Sequence, residues 1–202
     1  MTEPFYYFTI DKPSYTEYKE RGSRFLAYAY PLKSVDDFKR TLQGLKKEHA
    51  KAAHHCFAYR IGLDGNNFRA SDDGEPAGSA GKPILGQIDA RQLINVLVVV
   101  VRYFGGTLLG VPGLIHAYKT ATALALQLTP VVQKQVFINY ILHFDYTKMN
   151  DVMLVVRQFG CEIVRQESQL FCELEIAVPG GRVTEMEYKV KELRSVEMKQ
   201  IG

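Results

Sequence analysis

The 202-residue sequence contains no apolar run long enough to cross a bilayer. Its longest aliphatic run, Val96–Val101, falls far short of the roughly 20 residues a spanning helix needs. The start, MTEPFYYFTI, lacks the basic region, apolar stretch and small-residue cleavage site of a secretory leader. These absences predict a cytoplasmic protein with no membrane partner. Cysteine is also scarce. Cys56, Cys161 and Cys172 form no C-x-x-C pair, and an odd number suits neither a disulfide framework nor a zinc ribbon. They read as buried thiols. Only Cys56, preceded by His54 and His55, keeps a catalytic alternative open. On a strand, His54 and Cys56 would share one face and His55 would take the other. No internal repeat, low-complexity segment, metal-ligand set or cofactor motif is present, so no cofactor and no metal are expected.

Hydrophobic residues make up 47% of the chain and charged residues 23%, the balance of a globular protein. The net charge is only +3, but it is unevenly spread. Residues 1–130 hold 16 Lys and Arg against 12 Asp and Glu, whereas residues 131–202 hold 9 against 10. Lys39, Arg40, Lys46, Lys47 and Lys51 crowd one segment. Such a basic surface attracts polyanions at long range; the alternative is a plain solvated helix face.

The pattern divides the chain near Thr129-Pro130 into residues 1–130 and 131–202. FYYFTI and SRFLAYAYP read as strands, by their aromatic content and alternation. SVDDFKRTLQGLKKEHA reads as a helix capped by Ser34, with Asp36 and Asp37 where the helix dipole favours negative charge. HHCFAYRIG and NFRAS flank an Asp64-Gly65 hairpin signal. LINVLVVVVRYF is apolar on both faces and should be a central, doubly covered strand. The helix after it starts near Pro112 and carries Leu114, Tyr118, Ala121, Ala125 and Leu128 in one stripe. In the second part, VFINYILHFDY alternates as a strand. TKMNDVMLVVRQFG follows as a helix with Thr147 as cap and Gly160 as stop. The full order there is β-α-β-β-α-β, the ferredoxin-like pattern.

Two loops concentrate the chemistry. In RASDDGEPAGSAGKPIL, Arg69–Leu85, the residue types argue against a helix interior or a central strand. Gly78–Lys82 is similar to a phosphate-binding loop, but Pro76 stands where the leading glycine belongs and Pro83 where the Ser/Thr belongs. A nucleotide site of that type is excluded. A looser anion site on backbone N–H groups with Lys82 stays open. Asp72, Asp73 and Glu75 are candidates for acid/base work or a hard cation, or for turn capping. The second loop, RYFGGTLLGVPG, puts Gly105 and Gly106 after a buried strand, with Arg102 as a possible anion contact or a paired structural arginine. His54, Arg60, Arg69 and Lys119 complete the candidate binding set.

HHCFAYRIG, RASDDGEPAGSAGKPILGQI and NVLVVVVRYFGGTLLGVPGLIHAYKTA together resemble the signature of the YigZ/IMPACT family, also called UPF0029. The resemblance covers residues 5–128. The remainder resembles the small C-terminal domain of the bacterial members. It implies an N-terminal domain like ribosomal protein S5 domain 2 and elongation factor G domain IV, followed by a ferredoxin-like domain similar to elongation factor G domain V. It also implies a non-enzymatic link to translation, with RNA, the ribosome or a protein as partner. The eukaryotic members act through an extra N-terminal domain that is not expected here, so their kinase-pathway partner is not carried over. Two alternatives remain: a small-molecule enzyme, such as a hydrolase, using the Asp72–Lys82 and Gly105–Gly113 loops, and a protein-interaction adaptor. The enzyme alternative lacks a G-x-S-x-G elbow at Ser71 or Ser79.

Overall fold

A computed structural model of the protein describes residues 5–201. Residues 1–4, where the leader-free reading of the N-terminus begins, lie outside them, as does residue 202. The chain is α+β and divides into two compact units. The first is Tyr7–Lys134; the second is built from residues 5–6 and 135–201. None of the described helices is long and apolar enough to cross a membrane.

The first unit is organised by a five-stranded antiparallel sheet. Its order is β2 (Ser14–Glu20), β3 (Ser23–Pro31), β6 (Val96–Tyr103), β4 (His54–Ile61) and β5 (Asn67–Ser71). The aliphatic β6 takes the centre because both its faces are buried, as its lack of alternation predicts. Val96, Val98 and Val100 pack against α2 (Gly81–Asp89) and α3 (Gly110–Gln127). Leu97, Val99 and Val101 pack on the opposite face with Phe38 and Leu45 of α1 (Val35–Glu48). Ser34 caps α1 by accepting the Asp37 N–H at 3.1 Å. A separate two-stranded sheet pairs β1 (Tyr6–Ile10) with β7 (Val131–Gln135).

Two expectations are corrected here, and one strand appears that the sequence pattern does not signal. Residues 81–85 of the acidic, glycine-rich stretch form the start of α2 rather than continuing the loop. Pro83 is tolerated there because the first turn needs no N–H donor, and Ile84 and Ile88 anchor the helix in the core. Leu128 leaves the α3 stripe, because the helix ends at Gln127 and the side chain is exposed. β2, whose Glu17, Lys19 and Glu20 hide any apolar period, is an edge strand. Arg24 of β3 donates two hydrogen bonds of 3.0 Å to Glu17, a cross-strand pair of the kind that stabilises sheets.

In the second unit, four antiparallel strands lie in the order β11 (Val196–Gln200), β8 (Phe137–Asp145), β10 (Phe171–Pro179) and β9 (Glu162–Ser168). Helices α4 (Met149–Gln158) and α5 (Val183–Glu192) share one core with Tyr140, Leu142 and Phe144 of β8 and alternate residues of β10. The element order is β-α-β-β-α-β. Thr147 is not the cap of α4. The Asp145 carboxylate accepts the Thr147 N–H at 2.9 Å and opens a short 3₁₀ turn that leads into the helix. Gly160, at φ +66, follows its end.

Candidate functional site

Strand register builds the first site. Arg102 of β6 lies opposite both Phe25 of β3 and His54 of β4. Residues opposite one another share a sheet face, so Arg102, His54, Phe25 and Cys56 all face α2 and α3. The acidic loop then delivers Glu75. The Arg102 guanidinium donates from one nitrogen to both Glu75 carboxylate oxygens, at 2.7 and 3.0 Å. The Tyr118 hydroxyl from α3 donates to the same carboxylate at 2.7 Å. Ser23 Oγ accepts from a second Arg102 nitrogen at 3.4 Å and from the Gly105 N–H at 3.2 Å. Glu75 and Arg102 are 8% and 5% exposed, so each charge depends on the other for its compensation.

The two loops meet at this pair. Glu75 and Pro76 from one, and Phe104, Leu108, Leu109 and Gly110 from the other, line a pocket of about 490 Å³ together with His54 and Arg102. Gly105 makes the meeting possible. A Cβ added there would lie 1.9 Å from the Gly22 carbonyl carbon, so only glycine lets this loop touch the β2–β3 turn. Gly106 adopts φ +86, a left-handed conformation.

Each acid of the opening loop has its own place. The Asp72 carboxylate accepts N–H groups of Gly78 at 2.8 Å, Ala80 at 3.0 Å and Gly81 at 2.8 Å. It thus caps α2 from eight and nine positions upstream, and the donors that could cradle a phosphate are spent on it. Burial opposes ionisation of Asp72. The three N–H groups, with Lys82 adding its charge, outweigh burial and hold the carboxyl below the usual range. Asp73 sits at φ +40. Its carbonyl accepts from His54 Nδ1 at 2.8 Å, and its carboxylate accepts the His55 N–H at 2.7 Å. His55 is buried, and burial lowers its pKa against the pull of Asp73.

Cys56 is no nucleophile. Its sulfur lies 3.0 Å from the Asp72 carbonyl and 3.2 Å from the Tyr118 hydroxyl. Burial pushes its pKa up to about 12, so the thiolate is scarce at neutral pH. Arg60 ties the hairpin to α2, donating to Asp89 at 2.9 Å with its guanidinium over Phe68. Lys82 and Lys119 are exposed on α2 and α3 and line neither cavity described here. Among the described residues, no group of three or more His, Cys, Asp or Glu is placed to hold a metal ion.

Arg69 belongs to a second site. On the opposite face of the sheet, α1 and the edge strand β5 bound a groove of about 730 Å³. Lys39, Lys46, Lys47 and Arg69 line it, with Asp73 as the one lining carboxylate and Phe38 and Phe57 as apolar floor. Lys46 approaches Asp73 at 3.4 Å and Lys39 pairs with Asp36 at 3.0 Å. The Arg69 guanidinium stands 5.8 Å from the Phe57 ring centroid. The basic run in the sequence signals the lysines. The sequence has no signal for their meeting with Arg69, or for the hydroxyl of Tyr118, which sits in an alanine-rich stripe that otherwise reads as packing.

Comparison with known proteins matches this first unit. The Impact N-terminal domain matches residues 21–126. The chain is 34% identical over 172 residues to IMPACT family member YigZ of Escherichia coli, covering 84% of each chain. It is 34% identical over 152 residues to IMPACT family member YvyE of Bacillus subtilis, covering 75% of this chain and 70% of the relative. Protein IMPACT of Rattus norvegicus is 40% identical over 96 residues, covering 45% of this chain and 30% of that protein. A crystal structure of a hypothetical protein superposes with a TM-score of 0.77 at 30% identity over 98% of both chains. The two loops that form the pocket, the buried Glu75–Arg102 pair and the whole lining of the groove fall within the matched domain, and the chain belongs to the IMPACT family.

Proposed function

We propose that the protein is a non-enzymatic cytoplasmic RNA-binding module that engages the ribosome or a translation factor and regulates translation through it. In this reading the first unit is of the ribosomal protein S5 domain 2 type and the second, with sheet order β11-β8-β10-β9, is ferredoxin-like. The reading is carried by the α1–β5 groove, which is lined by four cationic side chains against one carboxylate. Exposed cations along an open groove suit a polyanion, and Phe38 and Phe57, 4% and 5% exposed, are packed in the core beneath them and leave recognition to charge. The groove is open along an edge strand, so a chain can lie across it without being threaded.

The test is fluorescence anisotropy with a structured RNA at two salt concentrations. Affinity should fall steeply as salt rises, because each phosphate contact releases a counterion. Charge reversal of Lys46, Lys47 and Arg69 should weaken binding across RNA sequences and flatten the salt dependence by about one unit of log–log slope per lost contact. No binding at low salt, or an unchanged slope in the triple variant, eliminates the groove. Capture from a lysate with and without ribonuclease then separates an RNA partner from a protein one.

A further inference from the structure

Two elements wall the α1–β5 groove. Lys39, Gln43, Lys46, Lys47 and Ala50 come from α1, at spacings that put them in one stripe on the helix. Arg69 and Ser71 come from β5, alternate residues that share a sheet face. At about 1.5 Å per residue the α1 stripe runs about 16 Å. Arg69 stands across the groove from the lysines, so a row of phosphates between the walls meets cations on both sides. The two aromatic residues of the lining are already engaged. Phe38 packs on Phe57 with 4.8 Å between ring centroids, and the Arg69 guanidinium lies over Phe57. Phe68, the exposed aromatic of β5, lies opposite Arg60 on the other face of the sheet, where that guanidinium covers it at 4.9 Å. Tyr15 is exposed on the α1 face, but it belongs to β2 at the far edge of the sheet, four strand spacings or about 19 Å away.

Resting on the RNA reading of this groove, we propose that it takes the sugar-phosphate backbone of an RNA double helix and discriminates against single strands. Proteins that hold single strands combine a cationic groove with aromatic side chains on which successive bases stack, and each stacked base is worth about fivefold or more in affinity. The α1–β5 groove has the cations without the platform. A single strand laid along it forgoes the stacking and still loses conformational freedom on being held. A duplex stacks its bases internally, arrives already ordered, and is recognised through its phosphates and 2′-hydroxyls. Its charge density is also higher. The log–log salt slope is about 0.9 per contact on a duplex and about 0.7 on a single strand. Counted down from about 1 M salt, the four cations of the groove therefore separate the two affinities about tenfold at about 50 mM. The ion pair of Lys46 with Asp73, 3.4 Å long and exposed, is weak enough for the lysine to exchange it for a phosphate.

The experiment uses the full chain and an RNA duplex of about 16 base pairs, together with each of its separated strands, their sequence chosen so that neither folds alone. Binding is followed by fluorescence anisotropy at about 50 and about 200 mM salt. The duplex should bind about tenfold more tightly than either strand at the lower salt, with a log–log slope of about −3.6 against about −2.8. The triple variant Lys46→Gln/Lys47→Gln/Arg69→Gln changes three exposed side chains and should shrink the preference to about twofold, the share of the one cation that remains. A separated strand that binds as tightly as the duplex overturns the proposal and leaves the RNA reading standing. A triple variant that keeps the tenfold preference overturns it too, because the selection then comes from another surface. Failure of all three RNAs to bind at low salt removes the RNA reading, and the duplex preference with it.

Discussion

In the pocket, Glu75 and Arg102 meet under cover of Phe25 and Tyr118; in the groove, Lys46, Lys47 and Arg69 stand open to water on the other side of the same sheet. The two sites are assembled from neighbouring residues of β4 and the loop after β5, yet they handle charge in opposite ways. Inside, each charge is cancelled at hydrogen-bond distance, and what remains is the shape of an apolar-walled pocket. Outside, cations outnumber the one lining carboxylate and the excess is left to act at a distance through water. Asp73 shows the division within one residue. Its carbonyl fixes the His54 tautomer on the pocket side, and its carboxylate faces His55 and Lys46 on the groove side.

The contrast makes its largest prediction at the buried pair. Glu75→Ala leaves the Arg102 guanidinium buried with no carboxylate, and stability measured by urea unfolding should fall by about 4 kcal/mol. The double variant Glu75→Leu/Arg102→Met removes both charges and should recover most of that loss. If the single variant unfolds with the wild type, the pair is not structural and the inside–outside distinction fails. A smaller effect is expected at Gly105. The alanine Cβ cannot coexist with the Gly22 backbone at 1.9 Å, so the β2–β3 turn and the loop must part, at about 3 kcal/mol. Gly106→Ala meets open space and strains only its own φ of +86, so it should cost about 1 kcal/mol. Equal losses at the two glycines would show that backbone conformation, not close approach, is what the loop requires.

The Asp72 cap comes next. Asp72→Asn weakens acceptance from three backbone N–H groups and should cost about 1–2 kcal/mol at pH 7. The sign of its pH dependence follows from the lowered pKa. A carboxyl held below its ordinary 3.8 stabilises the fold fully above that value and loses its contribution as pH falls toward the folded pKa. Wild type and variant should therefore differ at neutral pH and converge as pH falls from 3.8 through the lowered folded pKa. A difference that persists in acid would mean the asparagine disturbs packing rather than charge.

Much of this architecture is legible in the sequence, for reasons that differ between the sites. The central place of β6 follows from six consecutive aliphatic residues, and the cap of α1 from Ser34 followed by two acids. These are local signals, read within one element. The order β-α-β-β-α-β of the second unit is readable the same way. The pocket is not local. Glu75 and Arg102 lie 27 positions apart and Tyr118 43 beyond Glu75, and no periodicity encodes which acid of Asp72, Asp73 and Glu75 will reach them. The alternative that acids in this loop cap turns fits Asp72, but its recipients lie six to nine residues ahead, beyond the reach of turn rules. β2 was hidden because an edge strand may expose its charges. The basic run of α1 is visible in the sequence, whereas Arg69, which meets it across the groove, comes from a different strand.

The smallest effect on stability should come from the groove, and it separates the two kinds of charge most cleanly. Lys46→Gln and Lys47→Gln leave long polar side chains on the solvent face of α1. Glutamine is nearly as good a helix former as lysine, and the one ion pair lost, Lys46 with Asp73 at 3.4 Å, is exposed and weak. Thermal and urea unfolding should therefore move by less than about 0.5 kcal/mol. RNA affinity at low salt should nonetheless fall severalfold, because a lysine that contributes nothing to the fold still contributes a counterion release on binding. A loss of stability with no loss of affinity would reverse the assignment. It would make the lysines part of the scaffold and remove the groove as a binding surface.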